Sequence, residues 1–159
     1  MKFKNIIPFE GLDFIKLYSD INVVKEQLKK AEIEFVEEVW DNSRFKHKDN
    51  WHIITIDDSI KLFFSEGNNK LWKIYIYGNY DVQLPNGIKL GMNIDEALNI
   101  DKTLKYNDWE EDYETENGYW IEDNCETNAV ISIVVFVREV DNRELIISLL
   151  YERISTKTN

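Results

Sequence analysis

Ile88-Lys89-Leu90-Gly91-Met92-Asn93-Ile94-Asp95 restates, 73 positions later, Ile15-Lys16-Leu17-Tyr18-Ser19-Asp20-Ile21-Asn22. The Ile-Lys-Leu triplet and the following Ile coincide, Asp20 meets Asn93, and Asn22 meets Asp95. A second block keeps the same spacing: Val36-Glu37-Glu38-Val39-Trp40 meets Trp109-Glu110-Glu111-Asp112-Tyr113. Beyond it the register drifts because the second copy is shorter, and WKIYIYG (72–78) becomes the equivalent of ISIVVFV (131–137). Self-similarity at a fixed spacing signals a duplicated unit.

Each copy reads as a short helix followed by an antiparallel meander. Ser19 or Asp20 caps a helix with Ile21, Val24, Leu28 and Ala31 at three- and four-residue spacing. Asn93 caps the second, with Glu96 as its capping-box partner and Ile94, Ala97, Leu98 and Ile100 as the apolar face. Period-two alternation marks a strand at 51–56, then one at 60–64, the turn Glu66-Gly67-Asn68-Asn69 and a strand at 71–77. Leu84-Pro85-Asn86-Gly87-Ile88 turns the chain into the second copy, where strands are expected at 118–121, 129–137 and 145–151, the last two joined by Asp141-Asn142-Arg143. The expected fold is therefore α+β: two related helix-plus-antiparallel-sheet units, 1–80 and 81–154, that can join into one continuous curved sheet with helices on one face. A frayed polar tail follows at 155–159.

The 159 residues carry 43% hydrophobic side chains, with five Trp, eight Tyr and eight Phe, enough for a packed interior. The single cysteine, Cys125, has no internal partner, which fits a reducing compartment. The start, MKFKNIIPFEGLDF, has no apolar run of signal-peptide length, and no segment approaches a membrane span. The expectation is a cytoplasmic protein with no membrane contact.

Charge is distributed unevenly. Residues 1–80 hold 12 basic and 13 acidic side chains, a net of −1; residues 81–159 hold 7 and 17, a net of −10. Between Lys105 and Arg138 thirty-two residues pass without Lys or Arg, while nine carboxylates accumulate: Asp108, Glu110, Glu111, Asp112, Glu114, Glu116, Glu122, Asp123 and Glu126. Tyr106, Trp109, Tyr113, Tyr119 and Trp120 are threaded among them. Such repulsion is costly in a compact fold unless a cation outside the chain answers it. Direct nucleic-acid binding needs a basic surface and is disfavoured. A basic protein is the partner class that fits.

The phrase Gly87-Ile88-Lys89-Leu90-Gly91-Met92-Asn93-Ile94-Asp95-Glu96-Ala97 resembles the helix start of small bacterial helix-plus-sheet domains. These include the outer-membrane assembly lipoproteins of the BamE/SmpA kind, the tandem-repeat β-lactamase inhibitor proteins and small cytoplasmic immunity proteins. The resemblance covers 87–97, with a blurred copy at 15–25 where Tyr18-Ser19 replaces Gly-Met. It implies a fold more than an activity. The lipoprotein branch requires a signal peptide and a lipobox cysteine, which the sequence does not offer.

No catalytic constellation stands out. His47 lies in the basic tip Arg44-Phe45-Lys46-His47-Lys48 and His52 on a strand, too differently placed for a metal or base pair. Cys125 lies among Asp123, Asn124 and Glu126, a setting that does not favour a nucleophilic thiolate. Asp112-x-Glu114-x-Glu116-Asn117-Gly118 only approximates a calcium loop, with the glycine one position late. We therefore expect no enzyme, no catalytic residue, no metal ligand and no cofactor. The expected partner-binding residues are Asp108, Trp109, Glu110, Glu111, Asp112, Tyr113, Glu114, Glu116, Tyr119, Trp120, Glu122 and Asp123, with exposed aromatics as anchors and the carboxylates steering encounter.

A blander reading makes 109–113 a strand, with Trp109 and Tyr113 in the core flanking an inward Glu111. The favoured function is an immunity protein that neutralises a basic bacterial toxin domain such as a nuclease. Alternatives are an adaptor or structural module whose acidity serves solubility, and a calcium- or carbohydrate-binding protein. Edge strands of such sheets can also pair between chains, giving a homodimer.

Overall fold

The computed structural model describes residues 3–41, 50–65 and 67–138. The expected strand at 145–151, its preceding turn, the tail 155–159 and the basic tip at 44–48 lie outside these residues. What is described is an α+β fold dominated by antiparallel sheet, with eight strands in one sheet, three in another, and two helices.

The small sheet is formed by β1 (Ile6–Ile7), β2 (Gly11–Leu12) and β3 (Ile15–Lys16). Strands of two residues carry too little alternation to be announced by the sequence. They bury Ile6, Leu12 and Ile15 completely.

Helix α1 (Ile21–Lys30) follows, capped by Asp20, whose Oδ1 accepts from Asn22 N at 2.8 Å. Lys29 and Lys30 fill its last turn, where cations meet the negative end of the helix dipole. Ile21, Val24 and Leu28 are buried as their spacing requires. The chain then forms β4 (Val36–Trp40), β5 (Trp51–Ile56), β6 (Ile60–Ser65) and β7 (Leu71–Tyr77).

Helix α2 (Ile94–Ile100) is capped by Asn93, whose Oδ1 accepts from Asp95 N at 2.8 Å; Glu96 makes no reciprocal bond. Its seven residues bury Ile94 and Ala97 and pack a partly buried Leu98 against the core, while Ile100 is exposed, so the expected face is shorter by one residue. Strands β8 (Lys105–Asn107), β9 (Asp112–Glu114), β10 (Tyr119–Asp123) and β11 (Val130–Phe136) complete the described chain.

The large sheet runs β4-β5-β6-β7-β11-β10-β9-β8 and is continuous. Strands β7 and β11 meet at its middle, and β4 and β8 form its two edges. Cross-strand neighbours point to one side of a sheet. The row Glu37, Ile54, Leu62, Ile74, Val135, Tyr119 therefore shares a face. Lys25 of α1 pairs with Glu37 at one end of this row, and Tyr119 bonds Asp101, the C-cap of α2, at the other. Both helices thus lie on that face.

The opposite face carries an aromatic cluster of Trp40, Trp51, Phe63 and Trp72, with the Lys73 ammonium 4.2 Å from the Phe63 ring centre. One core cluster runs from Phe3 to Val137 and draws on both halves of the chain. Each fully buried Ile, Leu or Phe in it contributes roughly 1.5–3 kcal/mol relative to exposure.

The two helix starts are tied to the sheet by corresponding bonds. Tyr18 N donates to Leu71 O, Leu71 N to Ser19 O and Ile21 N to Asn69 O. In the other half Gly91 N donates to Val130 O, Val130 N to Met92 O and Ile94 N to Asn128 O. Tyr18 and Gly91 both have left-handed backbones, with φ of 74° and 87°.

The second block of similarity does not have this correspondence. Val36–Trp40 is a strand, whereas 108–111 is a turn and only Asp112 and Tyr113 enter β9. The place that β4 holds at one edge is held at the other by β8, which the sequence does not announce.

Candidate functional site: an acidic hairpin at the sheet edge

Strands β8 and β9 pair Lys105 with Glu114, Tyr106 with Tyr113 and Asn107 with Asp112, and residues 108–111 close the hairpin. Asn107 builds the turn. Its Oδ1 accepts from Trp109 N at 2.9 Å and Glu110 N at 3.1 Å, its O accepts from Glu111 N at 2.7 Å, and its Nδ2 donates to Glu114 Oε2 at 3.0 Å. Glu111 takes a left-handed φ of 58° to complete the reversal. This turn projects Trp109 out to 63% exposure, which corrects the reading of Trp109 as an inward strand residue beside Glu111.

Asp108 and Glu111 are also exposed, and the Tyr106 and Tyr113 rings meet edge-on with centroids 4.9 Å apart. The Tyr106 phenol is held above its ordinary pKa by desolvation and by the carboxylates of Glu111, Asp108, Asp123 and Asp112. Burial, Asp123, Tyr106 and Asp95 raise Tyr113 likewise. Tyr106 is not among the expected contacts, because its pairing with Tyr113 depends on β8.

The other expected contact residues are dispersed. Glu114, Trp120 and Glu122 point to the face opposite Tyr113, because Trp120 pairs with Glu114 and Glu122 follows at the next even position. Trp120 packs on Phe136 with ring centroids 4.7 Å apart. Glu122 is half-buried and accepts from Tyr75 Oη at 2.9 Å and Ser132 Oγ at 2.8 Å. Asp112 is buried, and Tyr119 is buried to 2% exposure, so neither serves as an exposed partner contact. Glu116 is exposed in the β9–β10 turn, and Asp123 is half-buried at the end of β10. The residues actually brought together at one exposed place are Asp108, Trp109 and Glu111, with a half-buried Glu110 between them and Tyr106 and Tyr113 behind.

A polar network missed by the sequence reading anchors this end of the sheet. Tyr119 Oη donates to Asp101 Oδ2 at 2.5 Å and accepts from Asn86 Nδ2 at 3.3 Å. Asn117 Nδ2 reaches the same Oδ2 at 3.0 Å, while Thr103 bonds Oδ1 through N at 3.0 Å and Oγ1 at 2.6 Å. Burial raises the Asp101 carboxyl, but the bonds from Thr103, Tyr119 and Asn117 outweigh it and bring its pKa down to about 2. Burial and the Asp101 acceptor push the Tyr119 phenol up, against the opposing donation from Asn86. The local signal is Asp101-Lys102-Thr103, a helix-end turn motif, but its long-range partners are set by the fold.

The calcium-like spacing at 112–118 lies in the β9–β10 hairpin, where no helix-loop-helix is formed. Among the described residues no group of three or more His, Cys, Asp or Glu side chains is placed to hold a metal ion. His52 is on β5, as expected, and Cys125 is exposed in the β10–β11 connection. No described helix is long and apolar enough to cross a membrane. The chain matches no protein-family model, no curated protein and no solved structure.

Proposed function

We propose that this chain is a non-enzymatic immunity protein that binds a basic cognate toxin domain, a nuclease delivered by neighbouring bacteria, and works in the cytoplasm. One observation carries the reading. A turn fixed by Asn107 holds an exposed Trp109 between Asp108, Glu110 and Glu111, with no basic residue between Lys105 and Arg138. A preset aromatic in a field of one sign supplies an anchor and steering together. Nuclease clefts must be basic to hold nucleic acid, and an acidic hairpin is the direct electrostatic answer. The likeness of 87–97 to helix starts of small immunity proteins points the same way.

We further propose that the two halves descend from one helix-plus-meander unit. The corresponding helix-start bonds and the meeting of β7 with β11 support this. The similarity of 36–40 to 109–113 does not. On this reading the second copy lost its bases and became the partner-binding half.

The test is co-expression with the product of the gene immediately upstream. The expected result is rescue from a toxic product and a complex that weakens as salt rises. An upstream product that is harmless alone, or that does not co-purify with this chain, ends the proposal.

A further inference from the structure

At the other end of the sheet, β4 presents an edge that no other described strand covers. It pairs with β5 along a regular register from Val36–Thr55 to Trp40–Trp51, with no bulge and no proline. All five of its residues are exposed, with Val36 at 68%, Val39 at 53% and Trp40 at 40%. Natural edges are normally blunted by prolines, bulges or inward charges; this one has neither proline nor bulge, and the one charge on its helix-covered face, Glu37, is neutralised. Its two glutamates are already answered: Glu37 by Lys25 and Glu38 by Lys61, the latter at 3.5 Å.

Beside the start of β4 lies an open groove of about 580 Å³ lined by Ile33, Phe35, Val36 and Thr55 and rimmed by Glu34, Asp57 and Asp58. Among the described residues none of these three carboxylates is ion-paired. A neutralised, regular edge next to an apolar-floored groove with a negative rim has a specific complement. It is a backbone that adds as a strand, with a basic side chain whose stem lies on Phe35 and Val36 and whose head meets the rim.

We propose that the β4 edge is a strand-addition site for an extended peptide segment bearing Lys or Arg, which joins the sheet as a further strand and places its cation in the 33–36/57–58 groove. The site is separate from the Trp109 hairpin and does not rest on the immunity reading, since β4 and β8 are opposite edges of the sheet.

The probe is a fluorescein-labelled peptide, Arg-Thr-Val-Thr-Val-Thr-Lys, compared with a version in which Glu replaces both basic residues. We expect the basic peptide to bind about tenfold or more tightly than the acidic one at low salt, and to shift the amide resonances of 36–40. Two N-methylated versions, blocked on alternate backbone nitrogens, test strand addition without altering the protein. One is expected to bind and the other not, because only alternate residues face the sheet edge.

The variant E34Q/D57N/D58N removes the rim charge and keeps the turn, since Asn tolerates the left-handed φ of 53° at both turn positions. It is expected to weaken the basic peptide about tenfold while leaving the amide spectrum of the rest of the sheet in place. Equal binding of both peptides, indifference to the triple variant, or shifts centred on 108–113 overturns the proposal. So does a concentration-dependent dimer that protects the 36–40 amides and excludes the peptide, because the occupant is then a second copy of the chain.

Discussion

Tyr75 of β7 stands opposite Val134 of β11, where the two strands meet at the middle of the large sheet. From there the Tyr75 hydroxyl reaches across β11 to Glu122 on β10, 2.9 Å away. A carboxylate expected to meet a partner is therefore engaged at the middle of the sheet. Desolvation and Glu122 together hold the Tyr75 phenol above its ordinary pKa, so it stays a donor at any physiological pH.

Removing that donor leaves Glu122 with Ser132 alone. Tyr75→Phe is expected to cost roughly 1–2 kcal/mol in denaturant unfolding, the usual scale for a bond to a charged acceptor that stays partly hydrated. Ser132→Ala should cost a similar amount, and the double variant should depart from the sum of the singles because both donors serve one oxygen. Strict additivity would show that the two bonds are energetically independent.

The Trp109 hairpin should behave in the opposite way. Trp109→Ala and D108K/E111K remove exposed groups, so unfolding free energy should change by no more than about 0.5 kcal/mol. Binding to the cognate partner should nevertheless fall, through slower association for the charge reversal and faster dissociation for the loss of the aromatic anchor. Surface plasmon resonance at two salt concentrations separates the two. Unchanged kinetics in both variants would remove the hairpin from the interface.

The contrast between Glu122 and Trp109 shows what is legible in the sequence. Helix positions, caps and the central strands can be read because each rests on a local period: Ile21, Val24 and Leu28 on one helix face, and alternation from Trp51 to Ile56 on a strand. The acidic run is plain in the sequence, but its division is not. Which carboxylates face out depends on β8, three residues long, and on a turn whose bonds come from Asn107, so 109–113 reads as a strand. The Asp101 network draws on residues 86, 103, 117 and 119, which only tertiary folding brings together.

Asp101 gives that network a pH signature. Its folded pKa of about 2 lies below the ordinary carboxylate value of 3.8, so its contribution is fully present above the unfolded value and is lost as pH falls towards 2. Part of the network is open to water, so the contribution is on the order of 1–2 kcal/mol. Asp101→Asn should lower stability at pH 7 and flatten the pH dependence between 4 and 2. Acid titrations of the two proteins by circular dichroism that run parallel through this window would refute the assignment.

Two glycines at left-handed positions should respond differently to a methyl group. Gly91 has φ +87° and nothing within 4 Å of where a Cβ would stand, so Gly91→Ala carries only the backbone cost, about 1 kcal/mol. Its counterpart Tyr18 already tolerates such a backbone, at φ 74°. Gly118 has φ +91°, but a Cβ there would lie 2.6 Å from the Phe9 ring, which packs edge-on against Phe136. Gly118→Ala must strain the backbone and displace Phe9 as well, at about 2–4 kcal/mol in total. Thermal unfolding should therefore rank Gly118→Ala well below Gly91→Ala. The gap should shrink when Phe9→Leu is added, because the smaller side chain yields the space that the ring denies.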